Sequence, residues 1–268
     1  MQKLIFILFL CLSAQSYAQS TKPRHQSSPE HINGLYKFSG KLNNKIPVFI
    51  WFIVKDSVLK GEVTYLNTHA RQPITIAGTI ILVDKFNAFG KIIERHNGAL
   101  IYEFNKNGYI TGTYMTTFKG TGFEGTWSKP GSEKELPFHL LHSDSVLSKR
   151  DTVLTSNNIP GEYLYRFGEK GSQGGIDIKQ TDKTNFLISI NCTTAGPSYN
   201  VANVEPVNVN MVGNSFIYRV PDTDCKFKIS FFDNFAVITQ LKGTECGFGL
   251  NASIDGVFIK TSNNVKMQ

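Results

Sequence analysis

The sequence lacks most of the features that identify an enzyme or an integral membrane protein. Gly-x-Ser-x-Gly, His-Glu-x-x-His and phosphate-loop motifs are all missing from its 268 residues, which argues against the hydrolases, zinc peptidases and nucleotide-binding proteins that carry them. No histidine follows His142. No apolar run, the N-terminal one included, is long enough to form a transmembrane helix. The chain therefore favours a non-enzymatic protein, although a hydrolase with an unrecognised site stays open.

Cysteine is also scarce. Cys11 lies in the N-terminal segment, and only Cys192, Cys225 and Cys246 follow it. Their wide spacing is unlike that of a metal site, and we expect no metal and no cofactor. Because Cys225 begins a predicted strand and Cys246 follows the hairpin partner of that strand, we predict a disulfide between them, with Cys192 free. The count alone leaves other pairings open.

The N-terminal segment is typical of a secretory signal peptide, which we place at residues 1–18. Lys3 provides the positive start, residues 4–12 the apolar segment and residues 16–18 the small-residue cleavage site. The expected mature chain begins at Gln19 with a polar, disordered leader over residues 19–31. Such a protein is secreted or periplasmic, where a disulfide can form.

Basic residues outnumber acidic ones, but they are dispersed. The full chain carries 28 Lys and Arg against 21 Asp and Glu. Residues 32–141 hold 13 basic and 8 acidic side chains, a net charge of +5, whereas residues 159–260 hold 9 and 10. Nucleic-acid binding requires clustered basic residues with stacking aromatics. We therefore expect no nucleic-acid partner.

From Ile32 onward the sequence consists of short apolar segments that are separated by Gly, Asn and Asp turns, and it shows no helical periodicity. They predict an all-β protein of two consecutive antiparallel meander or small-barrel domains, each of about eight strands. The domains span residues 32–141 and 159–260, with a linker over residues 142–158 and a tail over residues 261–268. Closure of each meander would remove exposed strand edges.

The two domains share motifs at matching positions. Each begins with Gly-x-Tyr, at Gly34 and Gly161, and each nears its end with Gly-x-aromatic, at Gly125 and Gly256. The offsets between corresponding motifs are 127 and 131 residues. This paired spacing favours an internal repeat.

On these motifs, the first domain resembles the Gly-x-Tyr/Gly-x-Trp β-meanders of uncharacterised exported bacterial proteins, and its layout is similar to that of avidin-like and lipocalin-like small barrels. The second, through CKFKISFF and GTECGFGLNASIDGVFIK, resembles another uncharacterised exported β family, in which a Cys-Gly pair precedes a closing Gly-x-Tyr strand. Phe258 replaces that tyrosine here. The resemblance implies architecture and export, and it implies no activity.

The hairpin around Asn107-Gly108 has the strongest turn signal in the chain. A two-residue turn and a three-residue loop are both compatible with its pattern, and we prefer the loop, at residues 106–108. That register places Tyr102 inside the first barrel and Glu103 on its outward face. We expect Tyr102 to line the interior with four other aromatic residues, namely Tyr36, Phe52, Tyr65 and Tyr114.

A second hairpin, in the second domain, joins Cys225 to Leu241. A three-residue loop at residues 232–234 would pair Phe231 with Phe235 and would collect one apolar face. A two-residue turn at Asp233-Asn234 would mix polar and apolar partners. We predict the three-residue loop.

The strand over residues 46–54 is apolar on both faces. A two-residue turn at residues 56–57 pairs Phe52 with Gly61, which leaves Phe49, Trp51 and Ile53 outside the barrel. Exposed apolar patches with a central tryptophan mark binding sites. We predict these three as ligand-binding or partner-binding residues, with docking of the second domain as the alternative.

Together these features predict an exported, non-enzymatic binding or interaction protein of the bacterial cell envelope. Its partner would be an unidentified protein or a small hydrophobic ligand, since an eight-stranded barrel can hold one small ligand. An inhibitor of an envelope or host enzyme that acts through its outer surface is the alternative. No oligomeric state follows from the sequence.

Overall fold

A computed structural model describes residues 33–68, 71–143 and 158–265 of the chain. The predicted signal peptide, the predicted leader and most of the predicted linker lie outside these residues. The described residues form an all-β protein of two consecutive eight-stranded antiparallel sheets, as predicted. None of these residues belongs to a helix with the length and apolar character that a bilayer crossing requires.

The first eight strands form a closed up-and-down barrel. Each strand pairs with the next, and β1 pairs with β8 to complete the circle. The interior is filled mainly by aromatic and aliphatic side chains. The strands are β1 Gly34–Leu42, β2 Ile46–Lys55, β3 Val58–Tyr65, β4 Ile74–Phe86, β5 Ile92–Phe104, β6 Ile110–Lys119, β7 Gly122–Ser128 and β8 Glu135–His142.

The β2–β3 hairpin has the predicted register. Asp56 and Ser57 form a two-residue turn with φ angles of 51° and 65°, and Phe52 lies opposite Gly61. Phe52 and the alternate residues of β2 pack inside the barrel. The other residues of β2 therefore point out of the barrel, because the side chains of a strand alternate between its two faces. Only these outward-facing residues of β2 can contact anything outside the barrel.

The β5–β6 hairpin combines the two registers considered. Phe104 pairs with Ile110, as the three-residue loop requires, but a bulge at Thr111 shifts the remaining pairs by one residue. Beyond the bulge, Glu103 lies inside the barrel and Tyr102 outside it. The predicted orientation of these two side chains is therefore wrong. The other four predicted interior aromatics do pack inside.

The second sheet has the strand order β12-β11-β10-β9-β16-β15-β14-β13. This is the circular order of the first barrel, opened between β12 and β13. The strands are β9 Gly161–Arg166, β10 Gln173–Gln180, β11 Asn185–Thr193, β12 Val201–Asn210, β13 Ser215–Arg219, β14 Lys226–Phe232, β15 Phe235–Lys242 and β16 Gly256–Ser262.

The segment between β15 and β16, residues 243–255, lies along the free edge of β12. The Gly249 amide donates to the Val201 carbonyl at 2.9 Å, and Ile254 is fully buried. The Cys225–Cys246 disulfide joins this segment to the start of β14, as predicted, and Cys192 is a buried free thiol. The disulfide therefore holds in place the segment that lies against an unpaired strand edge.

The β14–β15 hairpin departs from its predicted register. Phe232 pairs directly with Phe235, across a two-residue turn in which Asn234 has a φ of 66°. The predicted pairing of Phe231 with Phe235 is wrong because both faces of these strands are buried next to the turn. Apolar periodicity cannot select between registers when each face is covered, so the turn residues decide.

The two sheets are packed against each other. The apolar core of the second sheet extends onto the outer face of the barrel, where it includes Val58, Ala77, Phe104 and Ile110. The rings of Tyr102 and Phe167 meet edge to face with centroids 5.7 Å apart. Outward-facing residues of β3 to β6 thus form one side of an interface between the sheets.

Candidate functional site

A groove of about 670 Å³ runs along the rim of this interface. The barrel contributes residues of β2 to β6 and of the loop before β4, and the second sheet contributes the β14–β15 turn and the end of β16. Ligand pockets of this size occur preferentially where two domains meet. The polar and aromatic lining includes Trp51, Lys60, Glu62, Gln72, Lys106, Asp233 and Lys260.

Charged groups from both sheets meet in the groove. Lys60 donates from Nζ to the Asp233 carbonyl oxygen at 2.5 Å, and its ammonium lies 5.7 Å from the centre of the Phe235 ring. Burial lowers the pKa of Lys60, against the opposing charges of Asp233 and Glu62. Burial also lowers the pKa of Lys260, again opposed by Asp233. An anionic group in the groove would therefore favour the charged form of both lysines.

The three predicted binding residues lie on the outer face of β2, and none forms an open patch. Phe49 and Trp51 are only 3% and 8% exposed, and the half-buried Ile53 packs against the core of the second sheet. The Trp51 indole donates to Glu62 Oε2 at 3.2 Å and borders the groove. Second-sheet packing, the alternative considered, accounts for Ile53, whereas a binding role for the three residues stays a prediction.

A second polar cluster lies inside the barrel around Glu103, which is 2% exposed. The hydroxyl groups of Tyr65 and Tyr114 both donate to Glu103 Oε1, the latter at 2.7 Å. Glu103 faces Gly112 across the strand pair, and the Trp127 indole nitrogen lies over the same glycine. Gly112 leaves the room that the carboxylate and the indole occupy.

Thr111, the bulged residue of β6, connects the two polar regions. It lines the groove, and its Oγ1 lies 3.5 Å from Glu103 Oε2. Sequence patterning missed the buried Glu103 because the bulge shifts β6 by one residue, so that Glu103 and not Tyr102 lies opposite Gly112. The sequence does hold one signal for a buried side chain at this point. In both candidate registers Gly112 lies opposite a residue of β5, and a glycine leaves space for the side chain of that residue.

Burial raises the pKa of Glu103, and the hydrogen bonds from Tyr65, Tyr114 and Thr111 only partly oppose this effect. Burial likewise raises the pKa of Tyr114 well above its ordinary value. The cluster thus holds a carboxyl group whose neutral form is favoured by its surroundings.

We expect the Glu103→Gln variant to lose a pH dependence of stability that the wild-type protein shows. Because the pKa of Glu103 is raised in the folded state, this carboxyl group keeps its proton more readily in the folded protein than in the unfolded chain. The difference covers the pH window between the unfolded-state pKa of about 4.3 and the higher folded-state pKa. The free energy of unfolding should therefore fall as pH rises through this window, by up to about 1.4 kcal/mol per pH unit. Urea unfolding between pH 4 and pH 8 would measure the slope.

The matched control is Glu133→Gln, which removes an exposed carboxylate in the turn before β8. It should retain the wild-type slope. An unchanged slope in Glu103→Gln would contradict the assigned protonation behaviour of Glu103.

The described residues contain no group of three or more His, Cys, Asp or Glu side chains that could hold a metal ion. Glu94, the other carboxylate of β5, lies nine residues from Glu103 on the same strand, about 30 Å along its axis, so the two do not form a carboxylate pair. The arrangement therefore offers binding groups at the groove and one isolated buried carboxyl. No protein family, curated protein or solved structure matches the chain.

Proposed function

We propose that this is an exported, non-enzymatic binding protein of the bacterial cell envelope, secreted or periplasmic, which holds a small polar ligand in the groove between its two sheets. The observation that supports the proposal is the groove itself. It combines an aromatic side chain, amide and ammonium donors and carboxylate acceptors within about 670 Å³.

The lining favours a ligand that carries an acidic group. Lys60 and Lys260 are partly desolvated, and Lys106 extends from the β5–β6 loop into the same groove. A carboxylate or phosphate would form charge-assisted hydrogen bonds with such groups. These side chains favour a polar ligand over the small hydrophobic ligand expected from the sequence.

A thermal-shift screen with amino acids, dipeptides, uronic acids and sugar phosphates would test the proposal. At least one class should raise the melting temperature of the wild-type protein in a saturable way. Lys106→Ala should weaken that ligand about tenfold or more, because a hydrogen bond to a charged group contributes about 1.5–3 kcal/mol.

The matched control is Lys119→Ala, which removes an exposed lysine from the opposite end of the barrel. It should leave the affinity unchanged. A screen in which no class stabilises the protein, or in which Lys106→Ala and Lys119→Ala bind equally well, would contradict ligand binding in the groove.

A further inference from the structure

The hairpin of β4 and β5 extends beyond the barrel as a two-stranded ribbon. β4 pairs with β3 only up to Thr79, and β5 pairs with β6 only from Gly98 onward. The strands between these points pair with each other alone, over six residues each, or about 20 Å. Residues 81–97 therefore form a projection from one end of the barrel.

The end of this ribbon carries four exposed large apolar side chains, which we call the apolar tip: Phe86, Phe89, Ile92 and Ile93. Phe89, at the turn, is 94% exposed. Phe86 pairs with Ile92, and Ile93 is the extra residue of a bulge. The apolar side chains thus lie at the end of the ribbon and are not gathered into a stripe on one face.

A band of paired charges lies immediately behind the apolar tip. Arg95 binds both carboxylate oxygens of Asp84, at 2.5 and 2.8 Å, and Lys85 and His96 both contact Glu94. The band begins at Lys85 and Glu94, each one residue, or about 3.3 Å, from a tip residue. The ribbon therefore changes sharply from an apolar end, of the kind that enters the interfacial region of a bilayer, to a charged band that stays at the headgroups.

We propose that the apolar tip docks into the surface of a lipid bilayer that contains anionic phospholipids. A protein partner would cover one face of a ribbon, whereas acyl chains surround an apolar end from all sides. Lys91, within the turn, makes no ion pair with any described residue. Its charge and the +5 net charge of residues 32–141 complement anionic headgroups.

Co-sedimentation of the full chain with vesicles would test this proposal. The wild-type protein should bind vesicles of mixed phosphatidylglycerol and phosphatidylcholine more tightly than vesicles of phosphatidylcholine alone. Phe89→Ser should weaken binding to both by about tenfold or more, since a buried Phe side chain is lost. Lys91→Glu should weaken binding only to the anionic vesicles.

The matched control is Leu250→Ser, which removes a 76% exposed apolar side chain from the segment between β15 and β16. It should bind vesicles like the wild-type protein. Phe89→Trp adds a reporter, whose emission should shift to the blue when anionic vesicles are added.

Three outcomes would overturn the proposal. The wild-type protein could fail to bind either vesicle, or Phe89→Ser could bind as tightly as Leu250→Ser. Alternatively, sedimentation velocity could show a dimer that Phe89→Ser dissociates, which would assign the tip to a second copy of the chain. None of these outcomes depends on ligand binding in the groove, so the two proposals can fail separately.

Discussion

Removal of the Cys225–Cys246 disulfide is expected to lower the free energy of unfolding by about 3 kcal/mol, as estimated from the entropy of the closed loop. The two cysteines are 21 residues apart. The bond also holds the β15–β16 segment against β12, where Gly249 donates to Val201. Urea unfolding of the Cys225→Ala/Cys246→Ala double variant would measure the loss.

Cys192→Ala is the control, since it removes the buried free thiol and leaves the disulfide intact. It should cost less than the double variant, and its stability should still fall when a reductant is added. The double variant should not respond to reductant. A double variant as stable as the oxidised wild-type protein would contradict a structural role for the bond.

The Gly61→Ala substitution is expected to destabilise the barrel by at least about 3 kcal/mol, or to prevent its folding. Gly61 lies opposite Phe52, and a Cβ at this position would overlap the Trp51 carbonyl oxygen and lie 2.6 Å from the Phe52 Cα. Both atoms belong to the backbone of β2, so relief requires the two strands to separate. Circular dichroism during urea unfolding would report the change.

Gly175→Ala, in β10, provides a control glycine within a strand. Its Cβ would meet the flexible end of Leu164 at 3.1 Å and no backbone atom closer than 3.8 Å. We expect a change within about 1 kcal/mol. Equal stability of the two variants would show that the close approach of β2 and β3 at Gly61 does not restrict the side chain.

Sequence patterning predicts the elements that are buried on one side. β3 alternates between apolar and polar residues, so only one register with β2 buries the apolar set, and the Asp56-Ser57 turn agrees with it. The fold class follows from the same alternation repeated along the chain. The disulfide could be predicted because both cysteines lie near one hairpin.

The elements that were mispredicted lie where a second surface intervenes. β14 and β15 are buried on both faces next to their turn, since the second sheet also packs against the barrel, and their periodicity there is therefore uninformative. The bulge at Thr111 reverses the alternation of β6, so that Ile110 lies outside the barrel and Tyr114 inside it. The opening beside β12 did leave a signal, because Pro206 lacks an N–H and is found on edge strands.

The groove could not be predicted from sequence, because its two walls come from positions far apart in the chain. Lys60 and Asp233 are 173 residues apart, and no local pattern relates them. Trp51 was found through its apolar neighbours, yet it borders a polar groove. Long-range packing of the two sheets therefore decides which side chains share the site.

The circular strand order of the second sheet makes it a module whose first and last strands are neighbours. β9 pairs with β16, and the Asn158 side-chain amide donates to the Asn263 side-chain oxygen at 3.1 Å, so the entry and exit of this sheet lie side by side. A domain whose two ends lie close together can be inserted into a loop of another protein without distorting that protein. A circular permutant with its new termini at residues 211–214 would begin and end between β12 and β13. These two strands do not pair with each other, so the permutation would break no strand ladder.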